Sequence, residues 1–395
     1  MNRKMKRLRT VHFVGMGGSG MSGIAEVMIG LGYKIQGSDI RMSEQLERLK
    51  ALGAKVFLSH LPENIKKADA LVVSSAISSN NCEVVEAKKK MLPVVARAEM
   101  LAELMRFYYS IAVSGTHGKT TTTSLISTLL AEGGLDPTYI IGGCLKSSNS
   151  HAKLGLGEYL VAEADESDAS FTHLKPMISI LTNIDFDHMS TYEHDKNKLY
   201  SGFLSFLHNL PFYGLAIVCL DDPGVKEVMP KISRSMITYG TTDKADIYAK
   251  DIHFSESKTS FEVYRKNKNK KISVELNLPG IHNIQNALAA IAVATELDID
   301  DKSIIEAFKN FSGINRRFQV TKNVTVKDGK ITLIDDYGHH PTEILATINA
   351  IKSGWGSKRI TLLFQPHRYT RTRELFSEFV EVLSRVDPVS YTHLR

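Results

Sequence analysis

Cysteine is scarce in this sequence, and long apolar runs are missing. Of the 395 residues only three are cysteines, Cys82, Cys144 and Cys219, and they are too far apart to form a disulfide framework or a cysteine zinc site. No stretch approaches the roughly 18 apolar residues of a membrane-spanning helix, and the basic N-terminus is not followed by the apolar segment of a signal peptide. We therefore expect a cytoplasmic protein with no membrane partner.

Charge of one sign is not concentrated either. Lysine and arginine total 49 residues against 43 acidic residues, which leaves a net charge of +6. This mild excess suits a protein that handles anionic ligands, but it falls short of the basic face of a nucleic-acid-binding protein, so we expect no nucleic-acid partner. The charged run Arg265–Lys271 is interpreted as the solvated tip of a hairpin.

Strands and helices alternate along the chain in three blocks, each of which opens with an apolar strand. This alternation predicts an α/β fold with parallel sheets. The blocks predict a Rossmann-like N-terminal domain over residues 1–108, a central P-loop-type ATPase domain over 109–319 and a partial Rossmann-like C-terminal domain over 320–395. Because residues 388–395 lack the apolar run of a further strand, we expect an incomplete third domain that ends in a candidate non-native tail.

A glycine-rich loop follows the first predicted strand, Thr10–Val14. The loop reads Gly15-Met-Gly-Gly-Ser-Gly20, and Asp39 lies nineteen residues beyond its last glycine. This is the spacing of a dinucleotide-binding loop, in which glycines allow a tight turn and the amides of a helix N-terminus attract a diphosphate. The residues alone leave a nucleotide diphosphate site and a structural glycine turn equally open.

A second loop, Gly115-Thr-His-Gly-Lys-Thr120, lies between a predicted strand and a threonine-rich helix start. It shares Gly-Lys-Thr with the P-loop, in which backbone amides hold phosphates, the lysine reaches the β- and γ-phosphates and the hydroxyl binds Mg²⁺. Val113 replaces the leading glycine of the P-loop, so this loop is a shortened variant. An unpaired lysine in a glycine loop adds nothing to packing, and we therefore predict a phosphate site.

Two acidic clusters follow later strands of the same block. They are Glu163-Ala-Asp-Glu-Ser-Asp168 and Asn183-Ile-Asp-Phe-Asp-His188. Carboxylates at the end of a strand beside a phosphate loop suit Mg²⁺, which prefers oxygen ligands, although the first cluster has a solvated turn as its alternative. Composition alone favours a structural role for His188, because imidazole is a soft ligand for Mg²⁺.

Taken together and in this order, these loops resemble those of the Mur ligase family. The resemblance extends over residues 10–387. Further motifs that carry it are Pro279-Gly-Ile-His-Asn-Ile-Gln-Asn286, Arg316-Arg-Phe-Gln319, Asp335-Asp-Tyr-Gly-His-His-Pro341 and Gln365-Pro-His-Arg-Tyr-Thr-Arg371. It implies a ligase of peptidoglycan synthesis that joins L-alanine to the lactyl carboxylate of UDP-N-acetylmuramate through an acyl phosphate. The implied partners are those two substrates, the cofactors are ATP and Mg²⁺, and the chain would act as a monomer or a weak homodimer.

The resemblance also implies roles for individual residues. Binding of the UDP-sugar is assigned to Gly15, Gly17, Gly18, Ser19, Gly20, Asp39, Ser74 and Ser75. Binding of ATP is assigned to Gly115, Thr116, His117, Gly118, Lys119, Thr120, Thr121, His282, Asn283, Asn286, Arg317 and Asp335. The amino-acid pocket would consist of Tyr337, His339, His367, Arg368 and Arg371, with an arginine pairing the L-alanine carboxylate. The metal would be held by Thr120, Glu163 and His188, contrary to the compositional interpretation of His188. The catalytic residues would be Lys119, His188 and His339, and either histidine could deprotonate the amine.

Three other interpretations stay open. A murein-tripeptide-recycling ligase of the same family shares the Gly-Thr-His-Gly-Lys-Thr loop, although the segments 166–168 and 365–369 resemble the alanine-adding member more. An NAD-dependent oxidoreductase would use the first glycine loop but leaves the second loop and the acidic clusters unexplained. A catalytically incompetent nucleotide-binding fragment is the third, since loss of part of a closing domain could leave both nucleotides bound without turnover.

Overall fold

The computed structural model describes residues 5–327, 329–386 and 388–392. We divide the description into an N-terminal region (5–108), a central region (109–318) and a C-terminal region (319–392). In the part of the chain so described, no helix is both long and apolar enough to cross a membrane.

The N-terminal region is a parallel sheet with helices on its faces. Its strands are β1 (Thr10–Val14), β2 (Lys34–Ser38), β3 (Lys55–Phe57), β4 (Ala70–Val73) and β5 (Val94–Ala96). Its helices are α1 (Ser19–Gly30), α2 (Glu44–Ala51), α3 (Cys82–Lys89) and α4 (Arg97–Met105), with a short 3-10 turn at Pro62–Ile65. The order β3-β2-β1-β4-β5 is that of a doubly wound sheet, so its ligand crevice is expected beyond the carboxyl ends of β1 and β4.

The central region contains one large sheet. Its strands are β6 (Tyr109–Ser114), β7 (Thr138–Leu145), β8 (Ser150–Lys153), β9 (Tyr159–Glu163), β10 (Ile178–Leu181), β11 (Leu215–Cys219), β12 (Ser235–Gly240), β13 (Ile247–Ser255), β14 (Lys258–Arg265) and β15 (Lys268–Leu276). Its helices are α5 (Lys119–Glu132), α6 (Lys196–His208), α7 (Pro223–Val228), α8 (Ile281–Glu296) and α9 (Asp301–Asn310), with 3-10 turns at Ser170–His173 and Met229–Lys231.

The order of this sheet decides where its loops meet. It runs β15-β14-β13-β12-β11-β10-β6-β9-β7-β8, with β6 between β10 and β9 and parallel to both. The carboxyl ends of these three strands therefore lie side by side. The second glycine loop follows β6, and the two acidic clusters follow β9 and β10, so the sheet gathers all three clusters at one edge.

The charged run Arg265–Lys271 contains the turn between β14 and β15, as expected of a hairpin tip. Its first residue departs from the expectation. The Arg265 side chain is buried, and its Nη1 lies 2.7 Å from Asp301 Oδ1.

The C-terminal region is smaller. Its strands are β16 (Gln319–Val326), β17 (Gly329–Asp335), β18 (Leu362–Phe364) and β19 (Val389–Tyr391), and its helices are α10 (Pro341–Trp355), α11 (Tyr369–Glu374) and α12 (Phe376–Leu383). Our expectation that residues 388–395 contain no strand was wrong, because β19 pairs in parallel with β18 from Leu362 to Phe364. Backbone hydrogen bonds to β18 are sufficient to hold residues 389–391 as a strand, although these residues form no apolar run. Composition therefore does not reveal the strand. The expectation of a non-native tail at 388–395 stays a prediction, and residues 393–395 lie outside the described residues.

One hydrophobic core extends across the N-terminal and central regions, and a second core lies within the central region. Helix α1 packs against β7 and β8, and its buried face includes Met21, Ile24 and Met28. Gly23 lets the two regions approach closely, since a Cβ at this position would lie 3.1 Å from Ile140 Cγ2. The first glycine loop is therefore held at a fixed place beside the central sheet. The C-terminal region has its own small core around Ile344, Ile348, Phe364, Phe379 and Val382.

Candidate active site

Two adjoining cavities contain most of the predicted site residues. The larger, about 810 Å³, includes predicted residues of all three regions: Gly18, Ser19, Gly20, Ser74, Thr116, His117, Gly118, Lys119, Thr120, Glu163, His188, Arg317, Tyr337, His339, His367, Arg368 and Arg371. The smaller, about 480 Å³, includes His117, Gly118, Thr121, His282, Asn283, Asn286 and Arg317. The two cavities share His117, Gly118, Arg317 and Glu343, which form the partition between them.

Six predicted residues line neither cavity. Gly15, Gly17 and Asp39 shape the first loop, and Gly115 shapes the second. Ser75 is exposed in the turn after β4. Asp335 is exposed at the end of β17, whereas its neighbour Asp336 lines the smaller cavity and accepts hydrogen bonds from the amides of Phe318 and Gly338.

The first loop turns sharply between β1 and α1. Gly15 has a φ of 77°, in the left-handed region that favours glycine. The Gly17 amide donates to Asp39 Oδ2 at 2.8 Å, so Asp39 stabilises the conformation of the loop. Helix α1 begins at Ser19 with Gly18 as its N-cap and no side-chain cap. Gly18, Ser19 and Gly20 line the larger cavity, so the N-terminus of α1 lies beside it, an arrangement that attracts an anionic group.

The second loop is held by the end of β10. The Thr182 hydroxyl donates to the His117 carbonyl at 2.7 Å, and the His117 amide donates to Asn183 Oδ1 at 2.8 Å. Gly115 has a φ of 129°, and a Cβ there would lie 2.0 Å from Thr182 Oγ1. Glycine is therefore required for the loop to approach β10 this closely.

Lys119 is the first residue of α5 and points back into its own loop. Its Nζ donates to the carbonyls of Gly115 and Thr116 at 2.6 and 3.0 Å and to Glu166 Oε2 at 2.7 Å. Burial opposes its charge, but the carboxylates of Glu166 and Asp165 raise the pKa of Lys119. A charged lysine at the head of a glycine loop can neutralise phosphate oxygens.

Glu163 lies at the end of β9, beside the second loop. Its Oε1 accepts a hydrogen bond from the Gly142 amide at 2.6 Å, and burial raises its pKa. Thr120, Glu163 and His188 all line the larger cavity. A hydroxyl and a carboxylate are ordinary ligands of a hard divalent cation, and burial pushes His188 towards its neutral, ligating form by lowering its pKa. The donor set therefore fits a metal ion.

The turn that carries His188 is bound by two arginines of the C-terminal region. Arg371 forms a bidentate pair with Asp187, with Nη2 at 2.9 Å from Oδ2 and Nε at 3.2 Å from Oδ1. Arg368 Nη1 lies 3.4 Å from His188 Nδ1. Both arginines line the larger cavity with Tyr337, His339 and His367, so the predicted amino-acid pocket lies directly against the predicted metal ligand.

Glu343 joins the C-terminal region to the second loop. Its Oε1 lies 3.3 Å from His117 Nδ1 and 3.9 Å from Arg317 Nη1, and its Oε2 accepts from the His339 amide at 3.0 Å. His117 Nε2 lies 3.1 Å from Asp185 Oδ2. Burial lowers the pKa of His117, but its bonds to Asp185 and Glu343 outweigh burial and raise it to about 9. His117 is thus a cation between two carboxylates.

His117, Asp185 and His340 also offer ligand atoms within 4.8 Å of one another, a spacing that a metal ion could use. These atoms already have other partners. The Thr342 amide donates to His340 Nδ1 at 3.3 Å, and the Thr342 hydroxyl donates to Asp185 Oδ2 at 2.7 Å. We interpret the group as an ion-pair and hydrogen-bond network between the central and C-terminal regions.

The smaller cavity is built on the start of α8. Asn283 Nδ2 donates to the Pro279 carbonyl at 2.7 Å, and Asn286 Oδ1 accepts from the Thr122 hydroxyl at 3.1 Å. Burial lowers the pKa of His282 to about 4, so the ring is neutral near pH 7. Neutral amides and a neutral imidazole in a concave pocket suit an uncharged ring such as a nucleobase.

Several site residues were missed from the sequence. They are Arg97, Glu166, Asp187, Asp336 and Glu343. Glu166 and Asp187 belong to the acidic clusters, but the sequence does not show that they pair with Lys119 and Arg371. A sequence signal existed for Glu343, which completes a capping box with His340 at the start of α10. No signal marked Arg97, whose Nη2 lies 3.3 Å from Asp165 Oδ2 across the larger cavity.

Models of three domains of one protein family match consecutive parts of the chain. The Mur ligase family, catalytic domain, matches residues 10–109, the Mur ligase middle domain matches 113–294, and the Mur ligase, glutamate ligase domain, matches 316–394. The fold and the three matched domains define an ATP-dependent peptide ligase of peptidoglycan synthesis. The chain belongs to the Mur ligase family, whose members are amide-forming ligases.

Solved structures of this family superpose on the chain. UDP-N-acetylmuramate–alanine ligase from Thermotoga maritima is 29% identical, with 98% of this chain and 85% of that chain covered and a TM-score of 0.83. A murein peptide ligase from Psychrobacter arcticus is 25% identical, with coverage of 97% and 84% and a TM-score of 0.78. The UDP-N-acetylmuramate:L-alanyl-gamma-D-glutamyl-meso-diaminopimelate ligase from Neisseria meningitidis is 26% identical, with coverage of 78% and 100% and a TM-score of 0.71.

Proposed function

We propose that the chain joins L-alanine to the lactyl carboxylate of UDP-N-acetylmuramate, coupled to hydrolysis of ATP to ADP and phosphate. One observation carries this proposal. The smaller cavity meets the larger one at His117, Gly118, Arg317 and Glu343, directly beside Lys119. A nucleotide in the smaller cavity would therefore present its γ-phosphate to an acceptor in the larger one.

The larger cavity suits a nucleotide-sugar acceptor. The amides at the start of α1 would bind its diphosphate, and Ser74 lies on the same wall. Because α1 is packed against β7 and β8, the acceptor would be held at a fixed distance from the second loop. Such positioning converts a reaction between two bound substrates into an effectively intramolecular one.

In the first step, an oxygen of the lactyl carboxylate attacks the γ-phosphorus of ATP. The bond between the γ-phosphorus and the bridging oxygen breaks, which gives an acyl phosphate and ADP. Lys119 would neutralise charge on the transferred group from the larger cavity, and Arg317 would do so from the partition between the two cavities. Thr120, Glu163 and His188 would hold Mg²⁺, which would offset the charge of the phosphate oxygens.

In the second step, the nitrogen of L-alanine attacks the acyl carbon. The bond from that carbon to the phosphate oxygen breaks. Inorganic phosphate departs, and the product is an amide. The nitrogen must lose a proton, and His339 would accept it, since burial lowers the pKa of its ring and keeps it neutral. The lone pair of His188 would be occupied by Mg²⁺, so that ring would serve as the base only without the metal. The contacts of Glu343 and Arg371 hold the C-terminal region over the site, which would keep water from the acyl phosphate.

A murein-tripeptide ligase is the second candidate, because two of the similar structures carry that activity. The pocket around Tyr337, His339, His367 and Arg368 would then receive the end of a peptide rather than a free amino acid. A nucleotide-binding fragment without turnover is the third.

The first experiment is ADP release by the purified 395-residue chain with ATP, Mg²⁺ and UDP-N-acetylmuramate. L-alanine, the tripeptide L-alanyl-γ-D-glutamyl-meso-diaminopimelate or no acceptor would be added in parallel, and Lys119→Ala would control for contaminating ATPases. ADP release that requires L-alanine supports the proposal. Release with the tripeptide alone would identify a recycling ligase, and binding of both nucleotides without release would identify an inactive fragment.

A further inference from the structure

Arg371 lies in the predicted amino-acid pocket, yet its guanidinium is already bound to the protein. Its Nε and Nη2 both donate to the carboxylate of Asp187, and the two side chains are only 4% and 10% exposed. Its Nη1 lies 3.5 Å from the His367 carbonyl. This fork-to-fork geometry is the strongest form of an arginine–carboxylate contact.

Asp187 in turn fixes the turn that presents His188. The His188 amide donates to Asp187 Oδ1 at 2.8 Å, and His188 has a φ of 55°, which is uncommon for a residue other than glycine. Arg371 and Asp187 are 184 residues apart in sequence. The pair therefore joins α11 of the C-terminal region to the loop after β10 in the central region.

We propose that Arg371 is a positioning residue, which fastens the C-terminal region to the Asp187–His188 turn and leaves the carboxylate of the amino acid to Arg368. This inference rests on the proposed function. It differs from the role that the resemblance assigned to Arg371 as a member of the amino-acid pocket.

The charges explain this division of roles. If Arg371 left Asp187 to bind an incoming carboxylate, a nearly buried anion would lose its partner, and an unpaired buried charge is strongly unfavourable. Moving Arg368 towards a substrate would not carry this free-energy cost. It is exposed, and its contact at 3.4 Å is with a ring nitrogen of His188 rather than with a carboxylate. A substrate carboxylate can replace that contact without leaving a buried charge unpaired.

The test compares Arg371→Gln, Arg371→Lys, Asp187→Asn and the double variant Arg371→Gln/Asp187→Asn with Arg368→Gln. Arg373→Gln is the matched control, because Arg373 lies exposed on the same helix and forms no ion pair within residues 5–327, 329–386 and 388–392. We expect Arg371→Gln and Asp187→Asn each to lower kcat at least tenfold and to change KM for L-alanine less than twofold. The double variant should be no worse than either single one, since both remove the same contact. Arg371→Lys should recover part of kcat, because it keeps the charge but loses the fork.

Arg368→Gln should instead raise KM for L-alanine at least tenfold. The second readout is hydrogen exchange of the ligand-free protein, which needs no turnover. Amides of α11 and of residues 183–188 should exchange faster in Arg371→Gln and Asp187→Asn, and not in Arg368→Gln or Arg373→Gln.

A rise in KM for L-alanine in Arg371→Gln that Asp187→Asn does not share would overturn the inference and make Arg371 a substrate ligand. Unchanged exchange in both variants would also overturn it. If the unsubstituted chain released no ADP with L-alanine, the proposed function would fail. The exchange experiment would still decide whether Arg371 joins the two regions.

Discussion

Lys119 Nζ lies 2.7 Å from Glu166 Oε2, which joins the head of the second glycine loop to the acidic cluster after β9. Both side chains are largely buried, at 16% and 3% exposure. The same ammonium donates to two carbonyls of its own loop. The lysine is thus held ready at the boundary between the two cavities, where phosphate oxygens would become its further partners.

Replacing this lysine tests the division of labour between the two loops. We expect Lys119→Ala to lower the rate of ADP release by about 10²–10³-fold, the usual effect of removing one group that stabilises developing charge. Binding of UDP-N-acetylmuramate should change less than twofold, because the first loop belongs to a different sheet. Isothermal calorimetry with the UDP-sugar and a coupled ADP assay would measure the two effects. An equal loss of UDP-sugar binding would contradict this separation.

Gly115 tests the shape of the second loop. A Cβ at this position would lie 2.0 Å from Thr182 Oγ1 and 3.0 Å from the Asn183 amide nitrogen, so Gly115→Ala should displace the loop and reduce ATP affinity at least tenfold. Gly134→Ala is the matched control. Gly134 also has a positive φ, of 76°, but a Cβ there would meet no atom of the described residues within 4 Å. The control should lose only about 1 kcal/mol of stability and bind ATP normally. Equal ATP affinity in the two variants would show that the contact with Thr182 is unimportant.

The sequence was informative wherever function depends on the ends of parallel strands. The second loop and both acidic clusters follow β6, β9 and β10, and these strands are neighbours in the sheet. Local pattern alone was sufficient to identify each cluster, because each follows an apolar strand. The resemblance then assigned His188 to the metal, which composition by itself did not favour.

The contacts between regions could not be predicted in this way. Glu343 and His117 are 226 residues apart, and Arg371 and Asp187 are 184 apart, so no local periodicity links them. Asp336 rather than Asp335 lines the smaller cavity. The sequence could not distinguish them, because β17 ends at Asp335 and side chains no longer alternate between two faces beyond the end of a strand. The strand β19 was missed because three residues are too few to show an apolar pattern.

A buried ionic network in the N-terminal region was also absent from our expectations. Glu83, in the first turn of α3, is fully buried and accepts hydrogen bonds from Ser38 Oγ and, at 2.7 Å, from Asn64 Nδ2. Its Oε2 lies 3.3 Å from His12 Nε2 and 3.2 Å from His60 Nδ1. Burial would raise the pKa of Glu83, but the hydrogen bonds from His12, Ser38 and Asn64 outweigh it and lower the pKa to about 2.

This network makes a prediction about stability and pH. The pKa of Glu83 is lower in the folded protein, about 2, than its ordinary value of 4.5. Ionised Glu83 therefore stabilises the fold above about pH 4.5, and this contribution is lost as the pH falls towards 2.

We expect Glu83→Gln to lower the free energy of unfolding at pH 7 by about 3 kcal/mol, and the difference from the unsubstituted chain to shrink between pH 5 and pH 2. Urea unfolding followed by circular dichroism at several pH values would measure it. Glu86→Gln is the control, because Glu86 pairs with Lys90 on the surface and its replacement should change stability by less than about 0.5 kcal/mol. A difference for Glu83→Gln that stayed constant with pH would show that the network stabilises through hydrogen-bond geometry rather than through the charge of Glu83.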